Sequence, residues 1–244
     1  MATAMPAPGI LHRSGRRPRT EPMTAVWHGS PNFGPRRGGL RPRLIVLHYT
    51  AMTSAGAALA RLCDPKVEVS AHYLIGADGT VWQMVEEKMR AWHAGAGEWR
   101  GQDDINSRSI GIEMDNRGDH PFGDPQMRAL ERLLPEIMAR WGIGPAGVIG
   151  HSDMAPGRKS DPGPRFDWAR LARQGLARQG LALSAGLDAP QAVDVARFRA
   201  LAHRAGFTAQ VRDDVLLDAV RLRFRPWGRG PLVAQDMGVL LSLG

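Results

Sequence analysis

The chain has 244 residues, 43% of them hydrophobic, which suits one domain with a sizeable core plus a smaller module and excludes a disordered protein. Its formal charge of +8 and pI near 10.8 invite a nucleic-acid partner, but the charge is uneven: residues 1–43 hold eight arginines against Glu21 alone. The remainder is close to neutral and carries no recognition motif or basic-aromatic stripe, so no nucleic acid is expected to bind. The single cysteine, Cys63, excludes an internal disulfide and implies no oxidising compartment.

Residues 1–22 are rich in Pro, Arg and small residues and read as an unordered arm, with Met23 as an alternative start. They never build the apolar stretch of a secretory signal, and no segment approaches the ~20 apolar residues of a membrane span. A cytoplasmic location without a membrane anchor is expected, the alternative being a periplasmic one reached by another route.

Leu44-Ile45-Val46-Leu47 is too short for a helical period and reads as a buried strand closed by His48. Thr53 or Ser54 caps the helix that follows, and Asp64-Pro65 stops it. The segments 71–76 and 80–85 flank Ala77-Asp78-Gly79 and predict a hairpin. Residues 109–114 form another strand with Glu113 near its end. A helix is expected over 125–141, with Asp124 at its cap, Pro125 in its first turn and Pro135 bending it; Met127, Leu130, Leu134, Ile137 and Trp141 share one face. Val148-Ile149-Gly150 leads into His151, and the loop Asp161-Pro162-Gly163-Pro164 follows. A helix is expected over 166–183, a linker at 184–186, and helical segments near 191–205, 211–224 and 231–243. The fold class is α/β with a mixed central sheet flanked by helices. Residues 23–187 form the main domain and 188–244 a small helical module docked on it. Because every residue assigned to chemistry precedes Pro162, removing that module is expected to spare the site, with lower stability if the helices cover apolar surface of the main domain.

Two histidines at strand ends and a carboxylate on a stiffened loop, His48, His151 and Asp161, make a three-ligand set with an open fourth position, as catalytic zinc sites have. Asp153 and Asp167 are competing carboxylates. Glu113 is costly in an apolar strand without a partner or a task, and burial would suit it to proton transfer. Lys159 is one of only three lysines and could meet a developing oxyanion. His72, His93 and Asn106 lie where they could line a pocket.

The motifs Leu47-His48-Tyr49-Thr50, Ser70-Ala71-His72-Tyr73, Ala91-Trp92-His93-Ala94-Gly95, Asn106 with Ser109-Ile110-Gly111-Ile112-Glu113, and Gly150-His151-Ser152-Asp153 with Gly157-Arg158-Lys159-Ser160-Asp161-Pro162-Gly163 keep their order across about residues 25–175. Together they resemble the zinc-dependent N-acetylmuramoyl-L-alanine amidases of the AmpD and AmiD type. The resemblance implies one zinc ion on His48, His151 and Asp161, Glu113 as general acid/base, and Lys159 as oxyanion stabiliser. It also implies Tyr49, His72, Trp92, His93 and Asn106 as substrate contacts, and peptidoglycan fragments as partners. The expected reaction is hydrolysis of the amide between N-acetylmuramic acid and L-alanine. The alternative is a non-catalytic peptidoglycan-recognition protein, against which the full set of ligands with Glu113 and Lys159 argues. The tail is similar to the small peptidoglycan-binding module of the AmiD branch, which implies that any loss of function on its removal appears as weaker binding to polymeric peptidoglycan.

Overall fold

The computed structural model describes residues 23–179 and 193–243. In chain order it holds β1 (Val26–Trp27), β2 (Phe33–Gly34), β3 (Leu44–Tyr49), α1 (Ala55–Leu62), β4 (Tyr73–Ile75), β5 (Val81–Gln83), β6 (Arg90–Ala91), α2 (Ile105–Arg108), β7 (Ser109–Met114), α3 (Asp124–Trp141), β8 (Val148–Gly150), α4 (His151–Met154), α5 (Trp168–Arg173), α6 (Val195–Ala205), α7 (Asp213–Phe224) and α8 (Ala234–Leu241). The arm at 1–22, the linker at 184–186, the boundary at 187 and the end of the helix expected over 166–183 lie outside the described residues. Among those residues no helix is long and apolar enough to cross a membrane.

Six strands form one sheet in the order β1-β5-β4-β7-β3-β8. Strands β4, β7, β3 and β8 run parallel while β5 runs against β4, so the sheet is mixed, as the interrupting hairpin predicted. Gly79 makes that hairpin possible: its φ is +88°, and a Cβ there would sit 2.7 Å from Pro125 O at the start of α3. The hairpin strands are shorter than expected. Met84 N and Val85 N both reach His72 O, at 2.8 and 3.5 Å, a bulge-like sharing that ends the ladder.

Local chemistry sets the helix ends. Ser54 rather than Thr53 caps α1, its hydroxyl accepting from Ala57 N at 3.2 Å. Helix α3 begins one residue early, with Gly123 in the cap position and Asp124 as its first residue, where a carboxylate favours the positive end of the helix. It continues through Pro135. The helix expected from Phe166 shrinks to α5: Asp167 caps it by accepting from Arg170 N at 2.9 Å, and Gly175 ends it with a φ of +71°.

Strand β3 serves two cores by strict alternation. Ile45 and Leu47 face α3, where Met127, Leu130, Leu134 and Ile137 pack against them and against Ile75, Ile110, Ile112 and Met114. Leu44 and Val46 face the other way, into one cluster with Ile149 and with Phe198, Leu201, Leu216, Val220, Phe224, Met237 and Leu240 of α6, α7 and α8. The C-terminal helices therefore complete the cover of the sheet. Further along this face, Ala58, Leu59 and Leu62 of α1 pack on Leu74 and Met84. Between these two covers, over the carboxyl ends of β3, β7 and β8, lies the candidate site.

Candidate metal centre

Strand register determines which side chains meet. His48 on β3 pairs with Glu113 on β7, and Leu47 pairs with Gly150 on β8, so His151 follows the last residue of its strand at His48's level. All three sit at the carboxyl ends of parallel strands, where open α/β sheets collect ligands. His48 shares the parity of Leu44 and Val46, and Glu113 that of Ser109 and Gly111, so both project from the face between α1 and the C-terminal helices.

His48 Nδ1, His151 Nδ1 and Asp161 Oδ2 form a triangle with sides of 2.9, 2.9 and 3.0 Å, and all three residues are buried. The Asp161 loop is held to α4 by Ser152 N, which donates to Asp161 O at 2.9 Å. The competing carboxylates have other employment. Asp153 Oδ2 accepts from Gly150 N at 2.8 Å, and Asp167 caps α5.

The donor set suits a cation. His151 Nε2 lies 2.9 Å from Ala94 O, a carbonyl that can only accept, so Nε2 carries the proton and Nδ1 offers a lone pair to the centre. Burial, and then the neighbouring His151, lowers the His48 pKa to about 4, which keeps its ring neutral, as a metal ligand must be. Two imidazole lone pairs and a carboxylate oxygen at this spacing leave room for an ion about 2 Å from each. The buried His-His-Asp group could therefore hold a metal ion.

Tyr49, Trp92, His93, Glu113 and Lys159 line the groove at this centre, together with Arg158 and, on the α1 side, Arg61. Among the described residues Glu113 Oε2 is hidden from solvent and has no hydrogen-bond partner. Burial pushes its carboxyl well above the usual range and Asp161 adds to that, while Lys159 opposes both. His72 and Asn106 are placed behind the wall instead. His72 accepts from Gly111 N at 2.9 Å through Nδ1 and reaches Met89 O at 3.1 Å through Nε2, which leaves it no free nitrogen. Asn106 Oδ1 accepts from His93 N and Ala94 N at 3.0 and 2.8 Å, so it shapes the loop that carries Trp92 and His93.

Residues 38–164 match the family model described as N-acetylmuramoyl-L-alanine amidase. The chain belongs to this amidase family. N-acetylmuramoyl-L-alanine amidase AmiD of Escherichia coli strain K12 is 37% identical over 214 residues, covering 76% of this chain and 76% of that protein. The 1,6-anhydro-N-acetylmuramyl-L-alanine amidase AmpD of Enterobacter cloacae is 42% identical over 159 residues, covering 58% of this chain and 85% of its own length. A structure of E. coli AmiD in complex with the substrate anhydro-N-acetylmuramic acid-L-Ala-D-γ-Glu-L-Lys matches with a TM-score of 0.74 at 34% identity, over 86% of this chain and 89% of that one. AmpDh3 of Pseudomonas aeruginosa matches with a TM-score of 0.75 at 30% identity, over 97% and 98% of the two chains, a span that includes α6–α8.

Two arginines of this amidase-family site escape a reading of the sequence. Arg158 donates to Ala94 O at 2.6 Å and also to Ala96 O, pinning one groove wall to the other. Arg36 donates to the carbonyls of Glu87, Ser107 and Ser109 at 2.7, 2.9 and 3.1 Å, beneath the loop that holds Asn106. Arginine supplies all but three of the 32 basic residues, so charge alone singles out neither.

Gly111 is a point where the site depends on a missing side chain. A Cβ there would lie 2.4 Å from His93 Cγ. Gly111→Ala is expected to destabilise the protein by about 1–3 kcal/mol through overpacking, read from urea unfolding. An unchanged midpoint would show that the His93 ring moves aside freely.

Proposed function

We propose that the chain hydrolyses the amide bond between the lactyl carbonyl of N-acetylmuramic acid and L-alanine in soluble anhydro-muropeptides, with one zinc ion held by His48, His151 and Asp161. The observation that carries this reading is the meeting of those three ligand atoms with the unpartnered Glu113 Oε2 in one groove. A bound zinc ion supplies Lewis acidity towards the scissile carbonyl and makes water a better nucleophile at neutral pH. Glu113 takes the proton from the attacking water and passes it to the departing L-alanine nitrogen. Lys159 lines the same groove, and its ammonium serves to meet negative charge gathering on the carbonyl oxygen. Tyr49 steadies this loop through its hydroxyl, 2.9 Å from Ser160 Oγ, and presents its ring, with that of Trp92, to the substrate.

A purely recognising protein gains nothing from a buried carboxylate left without a partner, a costly feature that proton transfer explains. The test is incubation with a soluble anhydro-muropeptide followed by mass spectrometry. Release of the anhydro-sugar acid and a peptide with a free L-alanine amine is expected. Binding with no cleavage would leave the recognition reading instead.

A further inference from the structure

We propose that His93 is a positioning residue for the metal centre, one that fixes the tautomer and ring orientation of His48 through a directional hydrogen-bond chain ending on a backbone carbonyl. The inference rests on reading His48, His151 and Asp161 as metal ligands. The chain is legible from its far end. Ser109 Oγ lies 2.6 Å from Ile105 O, which can only accept, so the hydroxyl proton is committed there. Ser109 Oγ is then the acceptor for His93 Nε2–H at 3.1 Å. With Nε2 protonated in a neutral ring, His93 Nδ1 is an acceptor, and it faces His48 Nε2 at 3.0 Å. His48 therefore carries its proton on Nε2 and directs the Nδ1 lone pair at His151 Nδ1 and Asp161 Oδ2.

The two histidine ligands thus reach the same state by different routes. His151 donates directly to the Ala94 carbonyl, whereas among the described residues His48 Nε2 meets the His93 ring and reaches a backbone carbonyl only through that relay. The surroundings hold the relay in place. Gly111 has no Cβ and lets the His93 ring lie across β7, and Asn106 fixes the His93 amide at 3.0 Å. The ring forms part of the groove wall, yet both of its nitrogens are engaged inside the protein, so its polar atoms serve His48 rather than the substrate.

The experiment measures zinc affinity by competition with a chromophoric chelator at fixed pH, beside KM for a soluble muropeptide. It compares the full wild-type chain with His93→Phe, His93→Asn and Ser109→Ala. Phe keeps the shape and removes the acceptor, and a loss of about 10–100-fold in zinc affinity is expected. Asn can place Oδ1 where Nδ1 stood and accept from His48, so it should recover most of that affinity. Ser109→Ala, which removes the acceptor that sets the His93 tautomer, should give an intermediate loss. Wild-type zinc affinity in His93→Phe, with only KM raised, would overturn the proposal and leave His93 a groove contact. If His93→Phe does not fold, Ser109→Ala decides: unchanged affinity there overturns the proposal. A wild-type chain that binds no zinc would instead refute the ligand reading itself.

Discussion

Glu113→Gln lowers amide hydrolysis by about 10²–10⁴-fold while fold and metal are kept, because the amide matches the carboxylate in shape and removes only the proton acceptor. The side chain extends from β7 beside His48 but is not one of the three converging ligand atoms. Stability should not fall. Burial already pushes the Glu113 carboxyl towards its neutral form, so a neutral amide costs the folded state little. Turnover, zinc content and thermal unfolding of the variant check the three parts together. Near-normal turnover would remove Glu113 from the chemistry, and loss of zinc would make it part of the ligand set.

Arg223→Met is expected to destabilise the protein by about 3–5 kcal/mol, the usual cost of leaving the partner of a buried charge alone. Arg223 rises from α7 into the main sheet, where it donates to Val148 O at 3.1 Å and Arg178 O at 2.9 Å. Its guanidinium lies 3.3 Å from the Trp168 ring centre and 3.6 Å from Asp153. Asp153 can recover part of the loss by taking a proton, since burial already raises its pKa. The same carboxylate holds Gly150 N at the entry to α4, directly before His151, so the damage should extend to the metal centre. Removing residues 193–244 altogether goes further. It strips cover from Leu44, Val46, Trp99 and Ile149, and no cooperatively folded, zinc-binding protein is expected to remain. The sequence suggested that the tail could be removed without touching the site; the shared core argues the opposite. Urea unfolding of Arg223→Met and circular dichroism of the truncated chain are the checks. A loss below about 1 kcal/mol, or a folded truncation that still binds zinc, would show that the helices are separable.

The residues that converge on the centre are legible because each interrupts a local pattern. His48 and His151 close apolar runs, Glu113 breaks one, and Asp161 stands before Pro-Gly-Pro. The alternation of Leu44 to Leu47 likewise gives the two faces of β3 directly. What stays hidden depends on contacts across the chain. The bond between His48 and His93 spans 45 positions and requires an empty Cβ position at Gly111, which no spacing rule reveals. His72 and Asn106 lie in the same motifs as groove residues, but only the hydrogen bonds show that both His72 nitrogens and Asn106 Oδ1 are spent on the backbone. Arg223 is one of many arginines in the chain, and its burial follows from the docking of α7 beside Trp168. The short α5 shows the reverse error: a favourable composition over 166–183 is overruled by the left-handed turn at Gly175.

The measurement that bears most directly on the metal centre is a zinc titration of metal-free protein while hydrolysis of a soluble anhydro-muropeptide is followed, run in parallel with Asp161→Ala. The expected result is activity that climbs linearly to a break at one zinc per chain, with no comparable rise in the variant because two histidines alone hold the ion poorly. Turnover by metal-free protein, or an Asp161→Ala variant fully active at one equivalent, would contradict the centre built from His48, His151 and Asp161.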